Sequence, residues 1–475
     1  MVVKTRIIIL SSALFIAACN GEGITVVETE QAEITQTPQQ IASDELKQLI
    51  SEVSQGEGLN AFLLPESNDF SNIPQDPNNV ITAEKVELGK LLFHETGLST
   101  AGVNSNMQGT WSCASCHHAD AGFKSGIKQG IGEGGSGFAN NGASRVLANG
   151  FSMDASEPHL KPDVQPVTSP TILNTAYQDV MLWNGQFGNA INGIVNAGID
   201  REILATPGTP KAENNRQLSG LEIQGVAGQT VHRLNSEIDS LVQMNPEYAS
   251  LYEQAFPDGS SDVKEDVSKA IAAYERTVLA NQSPFQLWLK GDNDAMTLQE
   301  LRGANLFFGE ANCSACHNGP ALSSNVGATE DEIFFAIGFD DFSRNDPAVT
   351  GSVDDATSKG RGGFTRDPSD NYQFKVPTLY NLADTNVFGH GGSFSAIRAV
   401  VEYKNAAISQ KDIPASSLDH RFVPLGLSNE EINDLSVFLE SALHDPNLKR
   451  YVPDSLPSGN CITVADEQSK IDMGC

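Results

Sequence analysis

Two short stretches, WSCASCHHAD at residues 111–120 and ANCSACHNGP at residues 311–320, each place two cysteines three apart with a histidine directly after the second. No other feature constrains the fold as far. Cys113, Cys116 and His117 form the first set; Cys313, Cys316 and His317 form the second. Thiols at this spacing serve a redox disulfide, half of a zinc site, or the covalent attachment of haem c. A thioredoxin-like disulfide needs a βαβ setting, which the glycine-rich surroundings do not supply. A zinc site built from four thiolates has no use for a trailing histidine in each half, and the two pairs lie 200 residues apart. Covalent haem uses all three residues, the thiols as thioethers and the imidazole as an iron ligand. The repeated motif therefore reads as two covalently bound haems c.

An internal duplication supports two sites. ELGKLLFHE precedes the first motif and LRGANLFFGE the second, each an apolar helix with a glycine in its first half and a Leu-Phe pair near its end. Thr297 to Glu300 and Ser428 to Glu431 read as capping boxes. The second opens a helix with Ile432, Leu435, Leu439 and Leu443 on one face. Strand-like alternation is scarce. The expected fold is mainly α, two cytochrome c-like haem domains with long irregular loops, each small domain using haem as part of its apolar core. Residues 124–165 and about 186–219 are insertions. The first contains GIGEGG, a formal G-x-G-x-x-G, but no strand precedes it and no helix follows, so a surface loop is expected rather than a dinucleotide site.

The chain opens with Lys4 and Arg6 ahead of an apolar run from Ile7 to Ala18, too short to span a bilayer and expected to be a signal peptide. Ile16-Ala17-Ala18-Cys19 fits a bacterial lipobox, with an ordinary signal peptide as the alternative. Export to the periplasmic side of a bacterial membrane follows from either, with a lipid anchor at Cys19 in the first. Residues 19–45 read as a flexible tether. The full chain carries a formal charge of −30. Cleavage before Cys19 removes two bases and no acid, leaving 28 basic against 60 acidic residues and a charge of −32. Such a balance excludes nucleic acid and anionic lipid surfaces as partners. Cys461 and Cys475, left over in an oxidising compartment, are expected to pair.

With these motifs the chain resembles the bacterial dihaem cytochrome c peroxidase family, which includes the MauG-type protein-oxidising enzymes. The resemblance runs from about Asp76 to about His444. It is carried by LGKLLFHETGLS leading into CASCH, by SPTILNTAYQDVMLWNG, by CSACHNGP and by FKVPTLYNLADTNVFGHGGSF. It implies an N-terminal peroxidatic haem domain over 46–285, a C-terminal electron-transfer haem domain over 286–450 and a tail over 451–475. It also implies His117 and His317 as proximal ligands, and Trp183 in MLWNG as the relay between the haems; the alternative for Trp183 is a core aromatic. Gln224 resembles the family's distal glutamine. The usual downstream glutamate is missing at its spacing, and His232 lies nearby instead, either as a proton shuttle or packed against the backbone.

At the second haem, conventional members carry a distal methionine. No methionine stands in FGHGGSFSAIRAVVEYKNAA; Tyr403 falls near the position, as in MauG-type enzymes, with Lys404 as the alternative. His390 is expected to shape the same pocket. A calcium ion between the domains is a further family feature, but Thr168 replaces an expected asparagine ligand. The implied partners are hydrogen peroxide and either a periplasmic cytochrome or cupredoxin donor or a protein substrate. A dihaem electron carrier is the remaining reading.

Overall fold

The computed structural model describes residues 36–153, 156–188, 218–236, 241, 245–259, 262–343, 346 and 353–475. The leader, Cys19 and most of the second insertion lie outside the described residues. The principal helices are α1 (Pro38–Val53), α2 (Ala83–His94), α3 (Gly220–Val231), α4 (Pro246–Ala255), α5 (Val263–Thr277), α6 (Pro284–Leu289), α7 (Leu298–Phe308), α8 (Ile397–Ala406) and α9 (Asn429–Val437). Among the described residues, strands are confined to antiparallel two-residue pairs, Gly135–Ser136 with Val146–Leu147, Val180–Met181 with Phe187–Gly188, and Phe334–Phe335 with Phe374–Lys375.

Both capping boxes form, Thr297 with Glu300 on α7 and Ser428 with Glu431 on α9, satisfying backbone N–H groups that have no partner inside the helix. The expected apolar face of α9 is buried, although the helix widens into a π-turn over Phe438–Ala442.

The duplication is explained by two helix crossings. A Cβ on Gly89 of α2 would lie 1.9 Å from the Ala270 carbonyl oxygen of α5, and one on Gly303 of α7 would lie 2.1 Å from the Asp434 carbonyl oxygen of α9. Backbone meets backbone at each crossing, and only glycine permits it. A second repeat, PTILN at 170–174 and PTLYN at 377–381, places Asn174 and Asn381 in the left-handed region at φ 59° and 55°. Asn174 N–H donates to Val278 O at 2.9 Å, and its Oδ1 accepts from Ala280 N at 3.0 Å. Asn381 repeats this with Leu443 O at 3.1 Å and Asp445 N at 3.2 Å. Each asparagine thus ties its turn to the chain leaving α5 or the α9 π-turn.

Taking the chain around the first CxxCH motif as the first lobe and that around the second as the second lobe, the ends of the chain cross between them. Helix α1 starts at Pro38, inside the stretch expected to be tether, and buries Ala42, Ser43, Leu46 and Ile50. It packs on α7 in the second lobe, where Asn305 Nδ2 donates to Ala42 O at 3.1 Å and Trp288 Nε1 to Ser43 Oγ at 3.0 Å. The tail returns to the first lobe. Ser112 and Ser115 hydroxyls donate to Thr463 O at 2.9 and 2.8 Å, and Arg145 pairs with Asp466 in a buried contact at 3.2 Å. Cys461 and Cys475 form a disulfide that closes this tail. Residues Pro38–Cys475 form one compact unit.

The first insertion also differs from expectation. It lies against the first CxxCH motif, because a Cβ on Gly130 would sit 2.8 Å from Cys116 Sγ and one on Gly132 would sit 2.4 Å from Asp163 Oδ2. Glu133 and Arg145 within it are buried. GIGEGG is therefore glycine-rich because the backbone must approach a thiol and a carboxylate closely.

Candidate functional site

Both CxxCH segments fold alike. A 3-10 turn covers Cys113–Ser115 and Cys313–Ala315, and the histidine N–H donates back to the first cysteine's carbonyl at 3.1 and 2.9 Å. The chain then reverses, pairing His118 with Lys124 and Asn318 with Ser323. This return brings Phe123 O to 3.3 Å from His117 Nδ1 and Leu322 O to 3.1 Å from His317 Nδ1. A carbonyl only accepts, so Nδ1 carries the proton in both rings and Nε2 is left with the lone pair a metal needs.

The four thiols form no disulfide. Burial pushes Cys113, Cys116 and Cys313 up to about 12, raises Cys316, and pulls both imidazoles down to about 4. At neutral pH the rings are uncharged. Each of these side chains is nonetheless only half-buried by surface area; at the second station the accessible part of Cys316 and His317 faces a large, mostly apolar cavity. Free thiols paired with an oriented imidazole, and an apolar cavity beside one such set, fit covalently attached haem.

The surroundings of the two stations differ. At the first, α3 presents Gln224, Gly228 and His232 at four-residue spacing along one face. A Cβ on Gly228 would meet nothing nearer than the His232 ring at 3.8 Å, so that face looks onto open space. His232 Nδ1 lies 2.8 Å from Asp163 Oδ2. Burial pulls the His232 pKa down, but the charge and hydrogen bond of Asp163 outweigh it, and the net shift is upward. Its carbonyl accepts from Trp111 Nε1 at 2.8 Å. Helix α3 itself is anchored to α5 by a buried pair, with Arg276 Nη2 2.7 Å from Glu222 Oε2 and Nε 3.0 Å from Oε1.

At the second station the cavity is lined by Phe335, Ile337, Val400 and Leu439 together with Trp183, His390 and Lys404. Trp183 Nε1 donates to Thr168 O at 2.8 Å, and the Trp183 carbonyl accepts from Lys375 N at 2.7 Å. His390 stacks on Phe374 at 3.7 Å, stands edge-on to Trp183 at 6.3 Å and places Nε2 3.1 Å from Asp341.

Tyr403 does not reach this cavity. Its hydroxyl donates to Ile337 O, and its ring packs among Phe339, Phe394 and Phe422. The neighbouring Lys404 lines the cavity instead, its pKa lowered by burial. Thr168 is likewise engaged. Its Oγ1 donates to Gly389 O at 3.1 Å and its N–H to His390 O at 2.9 Å, and no cluster of three or more His, Cys, Asp or Glu gathers a metal site among the described residues.

Sequence reasoning missed Asp163 as the partner of His232. The signal was an acid inside the glycine-rich insertion, 69 residues upstream, which nothing local connects to α3. Among the described residues no helix is long and apolar enough to cross a membrane.

The family model for di-haem cytochrome c peroxidase matches residues 83–294. Cytochrome-c peroxidase IdrP1 of Denitromonas iodatirespirans is 27% identical over 396 residues, 79% of this chain and 86% of that protein. Methylamine utilization protein MauG of Methylorubrum extorquens is 26% identical over 388 residues, 81% of this chain and 84% of that protein. The crystal structure of a MauG-like protein associated with microbial copper homeostasis is similar in fold, with a TM-score of 0.53 at 20% identity over 81% of this chain and 95% of that one.

Proposed function

The chain is a di-haem peroxidase-family oxidoreductase, and on that premise we propose that it reacts with hydrogen peroxide at the first station and passes oxidising equivalents through Trp183 to the second. Haem held by Cys113, Cys116 and His117, and by Cys313, Cys316 and His317, supplies the redox chemistry; the protein supplies ligation, proton handling and the path between the stations.

The observation that carries this reading is how the two histidine–carboxylate pairs differ: at the first station Asp163 raises the His232 pKa, whereas at the second burial lowers that of His390 in spite of Asp341. Heterolysis of a peroxide bond requires a proton to move from one oxygen to the other. His232 Nε2 has no described hydrogen bond and can take and return that proton, while Asp163 holds Nδ1–H and stabilises the charged ring. Gln224, two turns earlier on the same face of α3, offers an amide toward the same open space. A pure electron carrier would have no use for this arrangement. Trp183 is fixed by Thr168 and bordered by His390 and Phe374, giving closely spaced rings beside the second cavity.

One observation favours MauG-like oxidation of a tryptophan or tyrosine on a partner protein as the second reading: among the described residues no methionine lines the second cavity. A thioether ligand raises a haem's potential and suits electron storage. Without it, oxidation of a protein substrate replaces uptake from a cytochrome or cupredoxin donor. In either reading the protein is exported, with Cys19 as its lipid anchor.

Rapid mixing of the haem-loaded protein with peroxide tests the path. Trp183→Phe should keep full haem content and the reaction at the first haem, but slow the subsequent spectral change at the second by tenfold or more. Unchanged transfer would remove Trp183 from the route.

A further inference from the structure

Three lysines line the cavity at the second station, in a chain with twice as many acids as bases. Two of them are engaged. Lys124 Nζ donates to Val387 O at 2.8 Å, and Lys375 Nζ donates to the Gln178 amide oxygen. Lys404 Nζ has no hydrogen bond or ion pair among the described residues; its one described contact is the Phe422 ring, 5.4 Å to the centroid. Asp419, a carboxylate whose charge reaches it, is committed to Arg421 through two contacts of 2.8 Å. An amine half-buried against apolar surroundings without an acceptor is costly unless something in the cavity takes its lone pair.

We propose that Lys404 Nζ is the second axial ligand of the iron at the second station, with His317 the first. The assignment rests on the reading that haem occupies this cavity. Tyr403 is the residue the family resemblance put forward, but one step along a helix turns a side chain by about 100°. That turn sends the tyrosine hydroxyl to Ile337 O and the lysine into the cavity. On ligation the ammonium releases one proton to solvent and its nitrogen lone pair forms the coordinate bond, with no change of oxidation state. Two nitrogen ligands would close this iron to peroxide and hold its potential below that of a thioether-ligated haem.

The test is near-infrared magnetic circular dichroism with EPR on the diferric, haem-loaded full chain, beside a measured haem-to-protein ratio. The proposal expects a low-spin second haem whose charge-transfer band has the imidazole–amine position. Lys404→Ala should convert that haem to a high-spin or water-ligated form, Lys404→Met should move the band to the thioether position and raise the potential, and Tyr403→Phe should leave the spectrum unchanged. Two haems per chain with a second-haem spectrum indifferent to both Lys404 variants, or abolished by Tyr403→Phe, would overturn the ligand assignment alone. A ratio of one haem, with the second station empty, would overturn the underlying reading and the assignment with it.

Discussion

The two stations share their attachment side and differ on everything that faces it. Each has the same 3-10 turn, the same imidazole-to-carbonyl bond and the same glycine crossing behind it. Facing these shared elements the first presents His232 with Asp163, and the second presents Lys404 in an apolar cavity bordered by Trp183 and by His390 with Asp341. Duplication accounts for the shared form of the two CxxCH segments. Divergence of the surrounding loops and helices accounts for the different side chains that face them, and under the proposed function for a division of labour between the stations.

The sharpest way to break that comparison is to remove one proximal ligand at a time. His117→Gly should abolish the spectral response to peroxide while leaving the second haem recognisable, whereas His317→Gly should leave the first reaction intact; an equal loss in both variants would contradict the division of labour. A smaller effect is expected from the acid/base pair. His232→Gln should slow the peroxide reaction by ~10²–10⁴-fold, the span typical of a lost general acid/base.

Asp163→Asn should cost less and leave a signature of its own. Because Asp163 raises the His232 pKa in the folded protein, the pair's contribution to stability is present below pH 6.5 and fades as pH rises through the folded value. Removing the carboxylate lowers that value, so the acid limb of the pH–rate profile should move to lower pH. A limb that stays in place would exclude His232 as the titrating group.

The smallest effect concerns the frame. His94 ends α2 at the place where the second lobe has Phe308. It is buried, and burial pulls its pKa from 6.5 down to about 4. The unfolded chain binds that proton first, so His94 costs nothing above pH 6.5. Stability should fall as pH drops toward 4, by up to ~3 kcal/mol. Denaturant midpoints of His94→Phe should lose this part of the acid sensitivity; parallel curves for both proteins would contradict it.

Much of the geometry around the two CxxCH segments was legible because that pattern is contiguous, and because helix caps and glycine crossings are local or repeat at fixed offsets. The Cys461–Cys475 pairing was legible from the count of leftover thiols. What escaped was assembled from distant chain. Asp163 reaches His232 only because glycines let the insertion press against Cys116, and glycine-rich composition alone reads equally well as exposed loop. The choice between Tyr403 and Lys404 turned on helix phase, which an uncertainty of one residue erases. The exchange of α1 and the tail between lobes had no sequence signal, since packing of chain ends is decided by surfaces formed elsewhere.

Under the proposed function peroxide reaches the first iron directly and the second only by electron transfer. The most direct measurement is an EPR-monitored titration of the diferric, haem-loaded protein with hydrogen peroxide, with no electron donor present. The first haem's ferric signal should be lost first and the low-spin second signal should follow, with neither change in His117→Gly. Loss of the second signal before the first, or no change in either, would contradict it.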